Sequence, residues 1–384
     1  MRVAFYAPLK SPTHQTPSGD RRMGRLLMSA LETAGHTVNL ASDFRSFEGH
    51  GDAEKQQVLA AEGQAVADTL VSNFTSRSTD KAPDLWFTYH LYYKAPDYVG
   101  PVVAKALNIP YVVAEPSYAP KRAGGAWDHG HQTIGSALRQ AAAVLCLTRH
   151  DIACVEPLMI KKERLYHLPP FLNTKQYHAV AASRAINRKS LLQRFDIDPN
   201  KSWLMAVGMM RPGDKLHSYK RLAKALEQLG HSNWQLLTVG DGEARAGVEE
   251  AFADFGPAQV FHLGAIEPGE MPKILSSADI FVWPAAGEAY GMAMLEAQAC
   301  GIPVVAGKVR GVPEVVQDGL SGILVPEDNP QAFADAVNAL ISDPQRRKAM
   351  ADAAKQFVLN ERSVENAATI LDKALFQACS DTPT

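Results

Sequence analysis

The sequence predicts an α/β protein with two Rossmann-like domains, each built on a doubly wound parallel sheet. Short apolar runs, which indicate buried strands, alternate along the chain with segments of helical periodicity, and this alternation is typical of parallel sheets. The 384 residues are enough for two domains of about 150 residues or more. No segment repeats at a period of about 20–50 residues, which argues against a solenoid.

The composition excludes several classes of protein. The 39 basic and 41 acidic residues leave a net charge of −2, so no global field attracts nucleic acid or an anionic membrane. The four cysteines are too few and too scattered for a disulfide framework or a zinc site, and Cys146 and Cys300 lie in apolar runs that predict buried thiols. No apolar stretch reaches about 18 residues, and the opening Met1–Pro8 indicates a strand and not a signal peptide. We therefore expect a cytoplasmic protein, whose contact with a membrane, if it has one, is peripheral at the inner face.

The first 169 residues have the pattern of one domain. Strands are expected at Val3–Ala7, Val38–Ala41, Leu85–His90, Tyr111–Ala114 and Ala143–Leu147. A helix at Arg21–Ala34 links the first two strands, and Gly19 lies in the loop that precedes this helix. Gly35 is suited to end the helix in the left-handed conformation. A Pro-containing segment indicates the linker into a second domain, with the boundary near Pro169.

The second half of the chain repeats the alternation of strands and helices, with clearer signals at the element ends. Strands are expected at Trp203–Gly208, Gln235–Gly240, Val260–Gly264 and Asp279–Trp283. Gly240 and Gly242 form a Gly-x-Gly directly after the second of these strands, which by itself is a weak sign of a nucleotide site. Two later helices each begin with an N-cap residue and a proline, at Asn329–Pro330 and at Asp343–Pro344. A last helix is expected at Ser363–Phe376.

The segment Trp283–Gly301 carries the strongest functional signal. It follows a buried strand with a glycine-containing loop and then, from about Tyr290, with good helix-forming residues. Such a turn points unpaired N–H groups toward the loop, where a phosphate or a sugar oxygen can accept hydrogen bonds from them. Glu288 lies in the loop and Glu296 follows eight positions later, within the helix. Both are expected to face the crevice at the strand ends, where open α/β sheets bind ligands.

This E-x7-E pattern, with Gly291 and the following Ala-Cys-Gly-Ile-Pro-Val-Val, resembles the retaining GT-B glycosyltransferases of family 4, the glycosyl transferases group 1. The resemblance continues through Gly311–Glu314, Asp318–Gly319, Gly322–Pro326 and Asp343–Arg347, and it is most specific from Trp203 onward. It implies two Rossmann-like domains facing a cleft. Residues 1–169 would bind the acceptor and residues 170–362 the nucleotide-sugar donor, while residues 363–384 would form a helix that crosses back to the first domain.

The resemblance also assigns roles on the donor side. Glu296 would bind the ribose hydroxyls and Glu288 the hydroxyls of the transferred sugar. Taken alone, Glu288 is also consistent with a solvated loop acid, and Glu296 with an acid on a helix surface. The remaining donor-binding residues that the resemblance implies are Gly19, Gly240, Gly242, Gly291, Met292 and Ala293.

The acceptor side is less clearly marked. His90 ends a predicted strand and matches a histidine that relatives place beside the donor sugar, although a lone histidine there also fits a structural role. Glu115 stands where relatives often have a second histidine. With Tyr118 and Arg122 it is a candidate for contact with the acceptor, and Lys121 lies between them.

Arg211 and Lys215 are the candidates for neutralising the departing diphosphate. Relatives place an arginine at this point and a lysine about five residues later, so Lys220 is the alternative to Lys215. A turn at Pro212–Asp214 is expected to fold Lys215 back beside Arg211. No Asp-x-Asp in a position to bridge a metal to the phosphates is evident, which predicts transfer without a metal ion or other cofactor.

The activity implied is retaining transfer of a sugar from a UDP- or GDP-sugar to a hydroxyl of a sugar, lipid or small molecule, in glycan, glycolipid or polysaccharide biosynthesis. Two rivals stay open: another GT-B enzyme, such as a nucleotide-sugar epimerase, and a non-catalytic subunit that binds sugar nucleotides. Nucleic acid is not expected as a partner. An NAD dehydrogenase is disfavoured, because the first loop lacks G-x-G-x-x-G.

Overall fold

The computed structural model describes residues 1–16, 18–76, 82–181 and 183–381. The chain forms two compact units. The first consists of Met1–Pro169 together with Val364–Thr384, and the second of Pro170–Ser363.

The first unit is built on a six-stranded parallel sheet with the strand order β2-β1-β3-β4-β5-β6. Its strands are β1 Arg2–Tyr6, β2 Thr37–Ser42, β3 Leu85–Tyr92, β4 Tyr111–Ser117, β5 Ala143–Cys146 and β6 Leu165–His167. Its helices up to the linker are α1 Gly19–Thr33, α2 Ala53–Ser76, α3 Gly100–Leu107, α4 Asp128–Gln140 and α5 Arg149–Val155. Strand β6 is absent from the sequence-based prediction, because three residues directly before a Pro-containing linker show no periodicity.

The second unit repeats the architecture with the strand order β12-β11-β10-β7-β8-β9. Its strands are β7 Ser202–Val207, β8 Trp234–Val239, β9 Val260–His262, β10 Ile280–Trp283, β11 Val304–Gly307 and β12 Gly322–Val325. Its helices are α6 Lys175–Ala181, α7 Arg184–Arg194, α8 Asp214–Leu226, α9 Arg245–Ala251, α10 Met271–Ser276, α11 Met292–Ala299, α12 Val312–Val315, α13 Pro330–Ser342 and α14 Pro344–Glu361. Two doubly wound parallel sheets flanked by helices are thus confirmed.

The central strands are buried along most of their length because helices cover both faces of each sheet. In β8 all six residues are buried, and in β3 the five residues from Leu85 to Tyr89 are buried. This explains why these strands appear in the sequence as continuous apolar runs. Cys146 and Cys300 are buried free thiols, as predicted.

Helix ends follow the predicted capping chemistry. Asn329 accepts a hydrogen bond from the Ala332 N–H (2.9 Å) and Asp343 accepts one from the Arg346 N–H (2.9 Å), with proline as the next residue in each case. Gly35 adopts φ 86° after the C-cap of α1, which confirms its predicted role.

The last helix, α15 Val364–Ser380, packs against α1 within the first unit. Among the described residues, no helix combines the length and apolarity needed to cross a membrane.

A buried carboxyl group ties the start of α3 to the first sheet. Asp97 is 1% exposed, and its two oxygens accept hydrogen bonds from the Thr88 and Tyr111 hydroxyls (2.5 and 3.0 Å). They also accept from the backbone N–H groups of Val99 and Gly100 (2.9 and 2.7 Å). Burial raises the pKa of Asp97, while these four donors oppose that shift. The group therefore joins two strands to the first turn of a helix.

We expect Asp97→Ala to lower the free energy of unfolding by about 3 kcal/mol or more, because it leaves several buried donors without an acceptor. Calorimetric unfolding of the full chain measures this. The control is Asp68→Ala, since Asp68 is exposed on α2 and accepts a hydrogen bond from the exposed Gln64 (2.9 Å). Equal small effects for the two variants would show that the Asp97 network contributes little.

Candidate functional site

The loop between β10 and α11 makes a tight turn at the carboxyl end of a central strand. Ala285 and Gly287 have φ values of 63° and 61°, and Gly291, the N-cap of α11, has φ 83°. Residues with a Cβ atom rarely adopt a φ of this sign, so this position favours glycine. Met292 and Ala293 begin α11 and therefore present N–H groups that have no acceptor within the helix.

Glu288 in this loop is fixed by two donors. Its Oε2 atom accepts hydrogen bonds from the Lys215 Nζ atom (2.6 Å) and from the Trp283 indole N–H (3.2 Å). The Lys215 ammonium also lies 5.4 Å from the centroid of the Trp283 ring. The Glu288 side chain is 15% exposed and that of Lys215 is 30% exposed. Glu288 is therefore a mostly buried, paired carboxylate, and the alternative of a solvated loop acid is wrong.

The chain turns back after Arg211, since the Leu216 N–H donates to the Arg211 carbonyl oxygen (3.1 Å), and a place of Lys215 beside Arg211 stays a prediction. Helix α8 begins at Asp214, so Lys215 is its second residue, and Lys220 lies exposed within the helix. An acidic residue in the first turn favours a helix start at Asp214. Arg211 is exposed, and its side chain has no partner among the residues that the structure describes.

Glu296 is the fifth residue of α11 and is 5% exposed. The alternative of an acid on a helix surface is therefore wrong. A carboxylate buried to this extent needs a polar or charged partner, and Glu296 has one within the chain.

Gly240 and Gly242 lie where the loop after β8 meets the loop after β7. A Cβ atom on Gly240, which has φ 141°, would lie 1.9 Å from the Gly208 carbonyl oxygen. The Met210 N–H donates to the Asp241 carbonyl oxygen at 3.0 Å, which holds the two loops together. The close backbone approach thus accounts for glycine at this point, and a role of Gly240 and Gly242 in donor binding stays a prediction.

The described residues contain no group of three or more His, Cys, Asp or Glu side chains arranged to hold a metal ion. An Asp-x-Asp does occur in the sequence, at Asp196–Asp198, but it precedes β7. It therefore lies at the amino ends of the strands of the second sheet, whereas Glu288 and Lys215 lie at the carboxyl ends of strands. The Asp198 carboxylate accepts from the Asn200 N–H (2.9 Å) and has a local structural role.

In the first unit, two adjacent strand ends adopt strained backbone conformations. His90 on β3 has φ 60° and Glu115 on β4 has φ 53°. The pairs Tyr89–Ala114 and Leu91–Pro116 flank them in the register of the two strands, so His90 and Glu115 lie side by side. Positive φ at residues with a Cβ atom costs about 1–3 kcal/mol, and such strain concentrates at functional sites.

The side chains at these strand ends form an electrostatic cluster. The His90 Nδ1 atom lies 2.9 Å from the Asp20 Oδ1 atom, and Asp20 is the second residue of α1. Burial raises the pKa of Glu115 to about 7, and Asp20 and Asp151 add to this shift while His90 opposes it. Burial lowers the pKa of His90, but Glu115, Asp20 and Asp151 outweigh it and the net shift is upward. The Glu115 Oε2 atom is buried and makes no hydrogen bond to the residues that the structure describes.

The structure modifies the prediction for Gly19, while contact of Tyr118 and Arg122 with the acceptor stays a prediction. Gly19 does not lie in a loop: it is the first residue of α1, and Ser18 is the N-cap that accepts from the Arg21 N–H (3.2 Å). Tyr118 stacks on the buried His131 ring, with centroids 4.5 Å apart. The Arg122 guanidinium lies 4.7 Å from the centroid of the Tyr93 ring.

Residues 188–357 match a family model described as Glycosyl transferases group 1. The second unit thus carries a glycosyl transferases group 1 domain. Over 319 residues the chain is 28% identical to alpha-maltose-1-phosphate synthase of Mycobacterium tuberculosis, which covers 77% of this chain and 78% of that protein. Over 207 residues it is 32% identical to the GDP-mannose-dependent alpha-(1-6)-phosphatidylinositol monomannoside mannosyltransferase of Mycolicibacterium smegmatis, covering 51% of this chain and 52% of that protein.

The fold is that of the GT-B proteins. The structure of HepE from Anabaena in complex with UDP superposes with a TM-score of 0.73 at 17% sequence identity, over 98% of this chain and 100% of that one. The same protein has also been solved with UDP-glucose.

The glycosyl transferases group 1 domain contains all the second-unit candidates. The residues that fall within the matched range are Arg211, Lys215, Gly240, Gly242, Glu288, Gly291, Met292, Ala293 and Glu296. The first-unit candidates, which include His90 and Glu115, lie outside it. Sequence reasoning missed two residues of the site. Trp283 donates to Glu288, and Asp20 contacts His90. The available signal for Trp283 was an indole N–H at a buried strand end, which requires an acceptor.

We expect Glu115→Gln to stabilise the protein more at pH 8 than at pH 5. The pKa of Glu115 is raised from 4.5 to about 7, so between these values the folded state holds a proton that the unfolded state has released. Stability therefore falls as the pH rises through this window, and the substitution removes that fall. Calorimetric unfolding at the two pH values measures it.

The control for this prediction is Glu62→Gln on the exposed face of α2, which we expect to change stability by less than about 0.5 kcal/mol at both pH values. An unchanged difference between wild type and Glu115→Gln from pH 5 to pH 8 would contradict the raised pKa.

Proposed function

We propose that the protein is a retaining glycosyltransferase that moves a sugar from a nucleotide diphosphate sugar to an acceptor hydroxyl. The observation that supports it is Glu288, held by Lys215 and Trp283 directly before the N-terminus of α11 in a glycosyl transferases group 1 domain. A carboxylate acceptor, an ammonium group and helix N–H donors are the groups that sugar hydroxyls and a diphosphate require.

The donor is bound by the second unit. Glu296, buried in α11, accepts hydrogen bonds from the ribose hydroxyls. Glu288, in the loop, accepts hydrogen bonds from hydroxyls of the transferred sugar. The N–H groups of Met292 and Ala293 bond to the sugar and the diphosphate. HepE binds UDP and UDP-glucose, and the mannosyltransferase relative depends on GDP-mannose. UDP- and GDP-sugars are therefore the two donor classes proposed for this chain.

Charge on the leaving group is neutralised by side chains and without a divalent metal. Arg211 follows β7 by four positions and its guanidinium is exposed without a partner among the described residues, so its planar fork is free to bond two phosphate oxygens. Lys215 is paired with Glu288, and the diphosphate of the donor competes for the same ammonium.

The transfer keeps the configuration of the anomeric carbon. The bond from this carbon to the diphosphate oxygen breaks while the acceptor oxygen bonds to the same face. The acceptor proton passes to the departing phosphate oxygen, so no protein nucleophile is needed. His90 is proposed to contact the transferred sugar or the acceptor, with Asp20 fixing its ring and Glu115 beside it.

We expect Glu296→Ala to weaken binding of UDP or GDP by about tenfold or more, because it removes a charged hydrogen-bond partner of the ribose. Glu288→Ala should leave binding of the bare nucleotide nearly unchanged and lower kcat. Isothermal titration with UDP and GDP, followed by steady-state transfer, separates the two effects. The control is Glu250→Ala, on the exposed face of α9. Equal losses of nucleotide affinity in the Glu288 and Glu296 variants would overturn the division of roles.

Activity in the presence of EDTA tests the neutralisation of the leaving group. Wild type should keep full activity, and Arg211→Ala and Lys215→Ala should each lose about a hundredfold or more in kcat/KM, as for removal of one charge-stabilising donor. Lys220→Ala should stay near wild type. Loss of wild-type activity with EDTA and its recovery on adding magnesium would refute transfer without a metal. A severe Lys220→Ala beside a mild Lys215→Ala would assign the role to the other lysine.

A further inference from the structure

A row of aromatic rings leads away from His90 along the carboxyl edge of the first sheet. The His90 and Tyr92 ring centroids are 5.6 Å apart, those of Tyr92 and Tyr93 are 4.9 Å apart, and those of Tyr93 and Trp127 are 5.7 Å apart. All four side chains are partly exposed. Trp127 is anchored by its indole N–H, which donates to the Glu48 carbonyl oxygen (3.2 Å). The row is a partly exposed surface of fixed rings.

Two cations lie on the far end of this row. The Arg122 guanidinium carbon is 4.7 Å from the Tyr93 centroid and 5.7 Å from the Trp127 centroid. The Lys94 Nζ atom is 4.5 Å from the Trp127 centroid and donates to the Gly49 carbonyl oxygen (3.2 Å). Aromatic faces attract cations, which holds both groups in place.

Arg122 lacks the partners that a guanidinium of this burial normally has. Its Nε atom is buried and makes no hydrogen bond, and within the described part of the chain its side chain forms no ion pair. Glu48, whose backbone anchors Trp127, does not supply one, because its carboxylate accepts from the N–H groups of His50, Gly51 and Asp52 (2.6, 2.6 and 3.2 Å). Burying such a donor without an acceptor is costly unless a ligand supplies one.

The charges along the row have opposite signs at its two ends. Asp20 and Glu115 lie beside His90, whereas Arg122 and Lys94 lie on the rings of Tyr93 and Trp127. An anion is repelled by the first end and attracted by the second. A molecule with a hydroxyl at one end and an anionic group at the other therefore binds in one orientation, with its hydroxyl toward His90.

We propose that Arg122, held on the rings of Tyr93 and Trp127, binds an anionic group of the acceptor, and that the acceptor is a small polyhydroxylated molecule carrying a phosphate or a carboxylate. This inference rests on the glycosyl transfer proposed above. The guanidinium suits both anions because its planar fork bonds two oxygens at once, and the row of rings offers apolar faces to the carbon skeleton of the acceptor.

The test is equilibrium binding to the full-length protein by isothermal titration, with glucose, glucose 6-phosphate, glucuronate and inorganic phosphate as probes. We expect wild type to bind an anionic probe at least tenfold more tightly than glucose. Arg122→Gln should lose this preference, and Arg122→Lys, which keeps the charge without the fork, should retain part of it. The difference between the phosphate and carboxylate probes identifies the anion.

The matched control is Lys105→Gln, which removes one exposed positive charge near the C-terminus of α3 and should keep the wild-type preference. The inference is overturned if wild type binds no anionic probe more tightly than glucose, or if Arg122→Gln keeps the preference. Stabilisation of each variant by UDP and GDP in thermal unfolding is measured in parallel. Anion binding without nucleotide binding would contradict the proposed transfer alone, whereas nucleotide binding without the anion preference would contradict this inference alone.

Discussion

The ion pair between Lys215 and Glu288 joins the start of α8 to the loop before α11, and the donor half of the proposed chemistry depends on both segments. These segments follow β7 and β10, which are neighbouring strands in the middle of the second sheet. Beneath the pair, Trp283 packs edge-on against Tyr219, with ring centroids 5.0 Å apart, and the Tyr219 hydroxyl donates to the Gly208 carbonyl oxygen (2.8 Å). The ion pair thus packs on two buried aromatic side chains.

In the first unit the candidate residues also lie near the carboxyl ends of parallel strands, but there the backbone itself is strained. His90 and Glu115 hold left-handed backbones at the ends of adjacent strands, and the surrounding core must offset about 1–3 kcal/mol of strain for each. The result is one imidazole among three carboxylates, and burial together with the nearby Asp20 and Asp151 raises the pKa of Glu115 to about 7. Such a cluster changes charge over the range in which many enzymes work.

The fold could be predicted because its signals are local. Alternating apolar runs predict the sheets, and Asn329 and Asp343 predict two helix starts to the residue. The site could be predicted only where one segment contains it, as in the loop with Glu288 and the helix with Glu296. Contacts between distant segments were missed, since nothing in the sequence pairs Asp20 with His90. The same holds for Lys215 and Glu288, which bond to each other although 73 positions separate them in the chain.

The placement of α15 has a consequence for synthesis on the ribosome. This helix packs on α1 in the first unit, yet it emerges only after all of Pro170–Ser363 has been made. Until then α1 lacks the packing partner that α15 provides. The second unit is continuous in sequence and can complete its core first. Domains usually fold in order from the amino end of the chain. Here the first unit is the last to be completed, and it stays without α15 for the time needed to synthesise the second unit.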